Sequence, residues 1–414
     1  MSRASAMVRT MDEAVAQLGP GPLTEESVQR HIAPLFSRVL ASDRIYLANH
    51  SLGRPLDAMA EDVREATSLW ETKLGDAWDA WLVEQGAFRA RVAQLIHAPR
   101  ADCVVPETSD GQGLRTVLNA LPGTPRVLST RREFDSIDQL LKQYASLGRI
   151  EMQWVEADNE GLFTVPGILR HLRQGIDLVV ISQVMFMNGQ AVHNLEQLAA
   201  ACHGVGAKLL VDSYHAVGVF PVDVAVMCAD FVIGGSYKYL RGGPGACFLY
   251  LSPEILASGL RPLDTGWFAR ENTFGYERHD PPLLGAGGNA FLESTPPVVT
   301  YYQARSGQQF TLAMTVERLR EYRQEQLRQL KRYLADAGIN AIGGDDDHGA
   351  FLCVRHTNAV NLARILAVSN VIVDSRGEWL RLCPDCLTRE DELRTAASVL
   401  HRALKKMDGH DPVH

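Results

Sequence analysis

The fold of this chain is indicated by two short segments, AKLLVDSYH (207–215) and DFVIGGSYKYLRGGPG (230–245). Each contains an apolar run that is too short for a helix and is typical of a buried strand. Asp212 and His215 come at the end of the first run, and Lys238 follows the second. Ligands bind at the carboxyl ends of strands in open α/β sheets, so these three side chains are candidate site residues.

Five similar apolar runs lie around these two, and most are flanked by helical patterns. They are CVVPE (103–107), RVLST (126–130), MQWVE (152–156), DLVVISQV (177–184) and ACFLYLS (246–252). Buried strands that alternate with helices predict a mostly parallel sheet that is covered on both faces. The short Gly-Pro-rich loop before the last run predicts one antiparallel strand.

The rest of the chain predicts a smaller second domain. Residues 24–41 and 312–338 have helical patterns, whereas 262–309 is rich in glycine, proline and aromatic residues and predicts long loops. Short strands and helices then run from residue 351 to a closing helix that starts near residue 389.

These patterns predict an α/β protein in three parts. Residues 1–55 are expected to contribute to the small domain and to the active site. Residues 56–310 are expected to form the large domain, and 311–414 a smaller α+β C-terminal domain.

The composition is that of a water-soluble globular protein: 414 residues, 46% hydrophobic, 22% charged, with a net charge of -8. Nucleic-acid binding needs clustered positive charge, so we expect no nucleic-acid partner. No segment has the apolar length needed to cross a bilayer or the pattern of a secretory signal. Seven irregularly spaced cysteines indicate reduced thiols and a cytoplasmic protein. The pair Cys383 and Cys386 lacks the further ligands of a zinc site.

A second glycine-rich segment suits an anionic group. Thr108-Ser109-Asp110-Gly111-Gln112-Gly113 follows the first apolar run and leads into a helix, and hydroxyls at a helix N-terminus can hold a phosphate. Lys238 stands at a strand end before a glycine-rich loop, which is how a lysine that forms a Schiff base is presented. Each signal alone is weak, because an isolated lysine is usually a surface residue.

In their order along the chain, these motifs resemble the fold-type I pyridoxal 5'-phosphate (PLP) enzymes. Within them the sequence is similar to a kynureninase-like member of the class V aminotransferase superfamily. The resemblance rests on D-x-x-H at Asp212 and His215 and on S-Y-K-Y-L-x-G-G-P-G from Ser236. Further matches cover most of the chain: Tyr46-Leu47, Ser51-Leu52-Gly53, Trp78, Trp81, Phe134 with Ser136, Ser182, Gly189-Gln190, Gly266-Trp267-Phe268, Thr295-Pro296-Pro297 and Arg381.

The resemblance implies PLP as the cofactor, a small amino acid as the substrate, no metal, and a homodimer with shared active sites. Lys238 would hold PLP as a Schiff base and move the α-proton, Asp212 would pair with the pyridine nitrogen, and Tyr237 would donate a proton. Arg381 would bind the substrate α-carboxylate, because its planar guanidinium suits that group. The other implied cofactor contacts are Thr108, Ser109 and Tyr237 at the phosphate, Phe134 on the ring face, Ser182 at the polar edge of the ring, His215 beside the carboxylate or the ring, and Trp267 and Thr295 at the phosphate of the neighbouring subunit.

The implied reaction is hydrolysis of the Cβ–Cγ bond of L-kynurenine or 3-hydroxykynurenine, which gives alanine and anthranilate or its 3-hydroxy form. The sequence departs from the family at His50 and Arg241, where asparagine is usual. It also has Phe134-Asp135-Ser136-Ile137 for F-P-S/T-D, so the acid is lost or shifted to Asp135 or Asp138. We expect His50 in the substrate site, where it and Arg241 adapt the pocket to another acyl group or a more anionic substrate.

Other functions are compatible with the same cofactor. A transaminase or a lyase acting on another amino acid has the same lysine and carboxylate. A cysteine desulfurase needs a nucleophilic cysteine shortly before the arginine that binds the carboxylate, and 359–380 contains none. A PLP-binding regulatory protein with little catalysis is disfavoured by the presence of Lys238, Asp212 and Arg381.

Overall fold

The structure is a computed structural model and describes residues 3–407. The helices are α1 Arg3–Ala16, α2 Glu25–Ser27, α3 Ser37–Leu40, α4 Ala58–Lys73, α5 Ala77–Leu95, α6 Asp110–Ala120, α7 Asp135–Ser146, α8 Val165–Leu169, α9 Leu195–Gly204, α10 Val224–Met227, α11 Pro253–Ala257, α12 Val298–Met314, α13 Val316–Asp336, α14 Ala359–Val368 and α15 Glu390–Met407. The strands are β1 Ile45–Tyr46, β2 Val104–Glu107, β3 Arg126–Thr130, β4 Glu151–Val155, β5 Leu178–Ser182, β6 Lys208–Asp212, β7 Phe231–Gly235, β8 Cys247–Leu251, β9 Leu352–Arg355, β10 Val371–Ile372, β11 Asp374–Arg376 and β12 Trp379–Leu382.

Seven strands form the central sheet in the order β2-β8-β7-β6-β5-β3-β4. All neighbours are parallel except β8, which is antiparallel to both β7 and β2. Each apolar run of the sequence forms one of these strands, so the prediction of a mostly parallel sheet with an antiparallel strand is confirmed.

Both faces of the sheet are buried, as its continuous apolar strands require. In β5, Val179 and Ile181 belong to one hydrophobic cluster, whereas Leu178 and Val180 belong to another. Successive side chains of a strand point to opposite faces, so the two clusters are the cores on either side of the sheet.

Two small sheets lie outside the central one. Strand β12 pairs with β11 and β9 in an antiparallel sheet, and β1 pairs with β10 in parallel. The β1 pairing brings the N-terminal segment against the C-terminal part of the chain. The domain boundaries at residues 55 and 310 stay a prediction.

Two helix predictions are wrong in detail. Residues 24–41 form only the short helices α2 and α3, separated by a π turn over Val28–Ile32 and a 3-10 turn over Ala33–Phe36. Pro34 contributes here, because it lacks an N–H and crowds the preceding turn. The long helix predicted for 312–338 is divided between α12 and α13 at Thr315, which has a φ of 61°. Helix α12 therefore takes the last part of the predicted loop region.

No helix within residues 3–407 is both long and apolar enough to span a membrane.

Candidate active site

Three neighbouring strands of the central sheet bring the predicted site residues together. Ser182 ends β5, Asp212 ends β6, and Lys238 lies three residues beyond the end of β7. Ser182 is the register partner of Asp212 in the parallel β5–β6 pair, so their side chains start from the same edge of the sheet. This edge carries the carboxyl ends of the parallel strands, where open α/β sheets bind their ligands.

Lys238 is buried and its amine is surrounded by rings. Its Nζ lies 2.6 Å from Nε2 of His215, and 5.0 Å, 5.5 Å and 5.6 Å from the ring centres of Tyr214, Phe134 and Tyr237. Burial lowers the pKa of Lys238 far below its usual value, although the Asp212 carboxylate partly opposes the shift. A large fraction of the amine is therefore neutral and nucleophilic near neutral pH.

Two buried carboxyl groups lie near this amine. Oδ1 of Asp212 accepts a hydrogen bond of 2.9 Å from the backbone N–H of Tyr214. Burial raises the pKa of Asp212, and the neighbouring Asp110 raises it further. Oδ2 of Asp110, in the first turn of α6, has no hydrogen-bond partner among the described residues. Asp110 is a buried acid at the predicted phosphate cradle, and its sequence position gives no sign of this burial.

The N-terminus of α6 forms one wall of a cavity of about 350 Å³. Ser109 caps the helix, since its Oγ accepts from the N–H of Gln112 at 3.0 Å, and Thr108 donates to Oε1 of Gln112 at 2.8 Å and 2.6 Å. Thr295 lines the same cavity and accepts a hydrogen bond of 3.2 Å from Nε1 of Trp267. The structure therefore places Thr295 beside Thr108 and Ser109 of its own chain. The contact of Trp267 and Thr295 with a neighbouring subunit stays a prediction.

A buried glutamate holds Ser182. Oε2 of Glu133 accepts from the N–H and the hydroxyl of Ser182 at 2.8 Å and 2.5 Å, and Oε1 accepts from Thr130 at 2.6 Å. Burial raises the pKa of Glu133 to about 7, and these hydrogen bonds limit the shift. Glu133 is the acid that the sequence analysis missed in this segment.

The two acids that the sequence suggested for this segment lie elsewhere. Asp135 is exposed, and Asp138 forms a surface pair with Lys142 at 2.6 Å. Neither residue is buried as Glu133 is, and whether the acid of the family motif is lost or shifted stays a prediction. Phe134 is the N-cap of α7 and Asp135 is its first residue, whereas Glu133 precedes the helix and is buried.

Arg381, predicted to bind the substrate carboxylate, is buried on β12 and pairs with Asp374 on β11. His50 is buried beside it, with Nε2 3.4 Å from Oδ2 of Asp374 and its ring packed on Phe351 at 4.8 Å. The pKa of His50 is lowered to about 3, chiefly by burial and secondly by the Arg381 guanidinium. The imidazole is therefore neutral. Lys238 is among the charges that depress this pKa, which places His50 and Arg381 in the electrostatic environment of the lysine.

Arg241 belongs to a buried salt-bridge network. Its Nη1 donates to Oδ2 of Asp385 at 2.7 Å, and Asp385 also pairs with Arg54. Burial opposes the charged state of Asp385, but Arg54 and Arg241 outweigh it and leave the pKa of Asp385 below its usual value. Arg241 is thus paired with a carboxylate inside the protein.

The C-x-x-C pair is buried. The Sγ of Cys383 donates to the carbonyl of Ala350 at 3.1 Å, and that of Cys386 accepts a 3.5 Å contact from Arg241. Burial raises the pKa of both thiols, so they are protonated and poorly reactive. No cluster of three or more possible metal ligands occurs in the described part of the chain.

A buried lysine amine at a strand end, beside a carboxylate on the next strand and a helix N-terminus, is the arrangement of enzymes that hold an aldehyde cofactor on a lysine. The sequence profile of the family described as aminotransferase class-V matches residues 81–380. The chain belongs to this family.

The curated relatives include aminotransferase and kynureninase names. The chain is 25% identical to the uncharacterized aminotransferase YcbU of Bacillus subtilis, over 83% of this chain and 93% of the relative. It is 27% identical to a kynureninase of Pseudomonas fluorescens, over 67% and 68% of the two chains. A kynureninase of Deinococcus radiodurans is 28% identical over 63% and 64%.

Solved structures share the fold. An apo cysteine desulfurase from Thermococcus onnurineus NA1 aligns with a TM-score of 0.76 and 18% identity, over 89% of this chain and 96% of the other. A C-DES variant with glycine covalently linked to its PLP cofactor aligns with a TM-score of 0.79 and 16% identity, over 89% and 98%. The fold is thus that of the fold-type I PLP enzymes, with a mostly parallel central sheet.

PLP is the cofactor of this protein, and the side chains at the sheet edge fit it chemically. The amine of Lys238 suits the aldehyde, and Asp212 is a buried carboxylate in need of a cation. The capped N-terminus of α6 offers backbone N–H groups and hydroxyls to a phosphate.

Proposed function

We propose that this PLP enzyme hydrolyses the Cβ–Cγ bond of L-kynurenine or 3-hydroxykynurenine to alanine and anthranilate or 3-hydroxyanthranilate. The observation that carries the proposal is the contact between the Lys238 amine and His215, because both residues lie in the two motifs that resemble kynureninases. Relatives named kynureninase, at 24–28% identity, support it.

PLP, when bound, supplies an electron sink that stabilises negative charge at the α-carbon of the substrate. In our proposal, Asp212 pairs with the pyridine nitrogen, Phe134 lies on the ring face, and His215 supports the Asp212 side of the site. Ser182 contacts the polar edge of the ring. Thr108, Ser109 and Tyr237 hold the phosphate.

The proton transfers are assigned to Lys238 and Tyr237. Lys238, as a neutral amine, would be the base that takes the α-proton of the substrate and later returns it to the α-carbon. Water would add to the γ-carbonyl, and the Cβ–Cγ bond would break with release of the aromatic acid. Tyr237 would supply the proton that Cβ gains and would recover a proton from that water. Burial raises the pKa of Tyr237 well above its usual value, so its hydroxyl remains a proton donor at neutral pH.

Arg381 and His50 are assigned to the substrate. The guanidinium of Arg381 binds the α-carboxylate, and the neutral imidazole of His50 hydrogen-bonds to the same end of the molecule. We also propose a homodimer in which Trp267 and Thr295 reach the phosphate of the neighbouring subunit. Sedimentation of the PLP-loaded protein measures the dimer directly, and a monomer would contradict it.

A transaminase is the second candidate, because the relative aminotransferase YcbU aligns over 93% of its length. A desulfurase is disfavoured by the cysteines near the substrate residue. Cys353 is the register partner of Arg381, but it is buried in β9, and burial raises the pKa of its thiol to about 12. Such a thiol is not a nucleophile near neutral pH.

The test is to mix PLP-loaded protein with L-kynurenine and 3-hydroxy-L-kynurenine and to follow anthranilate fluorescence together with alanine release. We expect turnover that disappears in Lys238→Ala. Exchange of an amino group with pyruvate, without anthranilate formation, would replace the proposal by the transaminase. Absence of both products would contradict both candidates.

A further inference from the structure

Asp374 stands between two arginines in the small sheet. It lies on β11 directly opposite Arg381 on β12, as its register partner. Oδ1 accepts from Nη1 of Arg376 at 2.7 Å, and Oδ2 accepts from Nη2 of Arg381. The carboxylate thus joins a half-exposed guanidinium to a buried one.

The buried guanidinium of Arg381 is held at two of its three nitrogen atoms. Nη2 is bound by Asp374, and Nη1 donates to the carbonyl oxygen of Phe186. Nε is buried and has no hydrogen-bond partner within residues 3–407. A buried donor of a charged group is rarely left unpaired, so Nε is the position at which an external acceptor is missing.

His50 supplies a second unpaired group at the same place. It is 1% exposed, its Nε2 faces Oδ2 of Asp374 at 3.4 Å, and its Nδ1 has no hydrogen-bond partner among the described residues. Its ring and the guanidinium of Arg381 both pack on Phe351, at 4.8 Å and 5.5 Å from the ring centre. Unpaired nitrogens of two buried side chains therefore adjoin one aromatic surface.

The net charge of the Arg376, Arg381 and Asp374 side chains equals that needed to pair with one carboxylate. Arg376 and Arg381 carry two positive charges and Asp374 one negative charge, which leaves a single positive charge for a bound anion. Without Asp374, two arginines would face each other and the guanidinium of Arg381 would lose the anchor that sets its orientation.

We propose that Asp374 is a positioning residue that fixes Arg381, so that Nε is directed at the α-carboxylate of the substrate. The inference rests on the carboxylate-binding role proposed for Arg381. This positioning of Arg381 makes the enzyme selective for amino acids with a free α-carboxylate over the corresponding amides, whatever the side chain of the substrate is.

The experiment compares L-alanine with L-alaninamide as probes of PLP-loaded protein, through the absorbance change of the bound cofactor. The two probes differ only at the carboxylate. The ratio is the dissociation constant of alaninamide divided by that of alanine. It reports how well the carboxylate is recognised, and it is insensitive to a general structural loss because such a loss affects both probes. We expect the wild type to prefer alanine, and Asp374→Asn to lower the ratio about ten-fold or more. Asp374→Glu, which keeps the charge, is expected to retain part of the preference.

Asp385→Asn is the matched control, because Asp385 is also a buried carboxylate between two arginines but belongs to the Arg54 and Arg241 network. Asp385→Asn is expected to leave the ratio within about two-fold of the wild-type value. If Asp374→Asn does not fold, Arg376→Gln removes the half-exposed partner of Asp374 and is expected to lower the ratio by up to about five-fold.

A ratio that is unchanged or higher in the Asp374 variant, or unchanged in Arg376→Gln if that variant alone folds, overturns the proposal. A wild type without preference for alanine overturns it too. Failure of kynurenine cleavage is a separate result, because the alanine ratio is measured without that reaction.

Discussion

Nζ of Lys238 lies 2.6 Å from Nε2 of His215, and both side chains are buried at the carboxyl edge of the sheet. Burial is the main reason that the pKa values of both groups lie below their usual ranges. The imidazole is therefore neutral, with Nδ1 3.3 Å from the hydroxyl of Tyr239. A neutral histidine and a lysine of low pKa are compatible neighbours, whereas two cations at this distance would repel each other.

The first prediction concerns the pH dependence of PLP capture by the apoprotein. Only the neutral amine attacks the aldehyde, and a lowered pKa means that Lys238 loses its proton at lower pH than a free lysine does. The capture rate, followed by the absorbance of the bound cofactor, is expected to rise with pH and to level off well below pH 10. Lys238→Ala is the control and is expected to form no covalent adduct. A rate that keeps rising to pH 10 would contradict the lowered pKa.

The second prediction concerns Gly53, which touches the backbone of the lysine loop. Its N–H donates to the carbonyl of Tyr237 at 2.8 Å, and a Cβ at this position would lie 1.9 Å from the carbonyl oxygen of Lys238. Gly53→Ala is expected to displace this loop, to weaken PLP retention and to cost about 1–3 kcal/mol of unfolding free energy.

The matched variant is Gly86→Ala in the middle of α5, where a Cβ meets no atom within 4 Å. It is expected to stabilise the protein by about 0.5–1 kcal/mol, because alanine favours the helix. Denaturant unfolding and PLP retention measured on both variants decide the matter. Equal effects of the two substitutions would show that the close approach at Gly53 is unimportant.

The sequence predicts the central sheet well because its signals are local. Apolar runs such as RVLST and KLLVD indicate a strand from five residues alone. Once the strands are parallel, the residues at their carboxyl ends lie at the same edge of the sheet. Lys238, Asp212 and His215 are therefore brought to one edge, as their positions predict.

The parts that the sequence does not predict depend on distant partners. The burial of Glu133 becomes visible only when Ser182, from another strand, is placed beside it. The long helix is interrupted at Thr315 although no glycine or proline near this position indicates a break. The pairing of Asp374 with Arg381 follows from the register of β11 and β12, which the sequence alone left open.

The third prediction concerns the buried acid Glu133. Burial raises its pKa to about 7, so the folded state holds the proton more tightly than the unfolded chain does. The stability that comes from this proton is present below the ordinary glutamate pKa near 4.5 and is lost as the pH rises through about 7. Glu133→Gln cannot ionise at this position. Between pH 5 and pH 8, its unfolding free energy is expected to fall by about 1–3 kcal/mol less than that of the wild type. Denaturant unfolding at the two pH values measures the difference, and equal losses would contradict the ionisation of a buried Glu133.

The fourth prediction concerns Asp385, whose carboxylate is shared by Arg54 and Arg241. Burial opposes the ionised form, but the two guanidiniums more than offset it and hold the pKa of Asp385 below its usual value. Asp385→Asn leaves two buried cations without a countercharge and is expected to cost about 3–5 kcal/mol of unfolding free energy at pH 7.

The contribution of the Asp385 carboxylate to stability also depends on pH. A lowered pKa in the folded state contributes stability above the usual aspartate pKa, and that contribution is lost as the pH falls below about 4. The stability difference between the wild type and Asp385→Asn is therefore expected to shrink in acid, as measured by denaturant unfolding from pH 7 down to pH 3. A difference that stays constant over this range would mean that the ionised carboxylate is not what stabilises the two arginines.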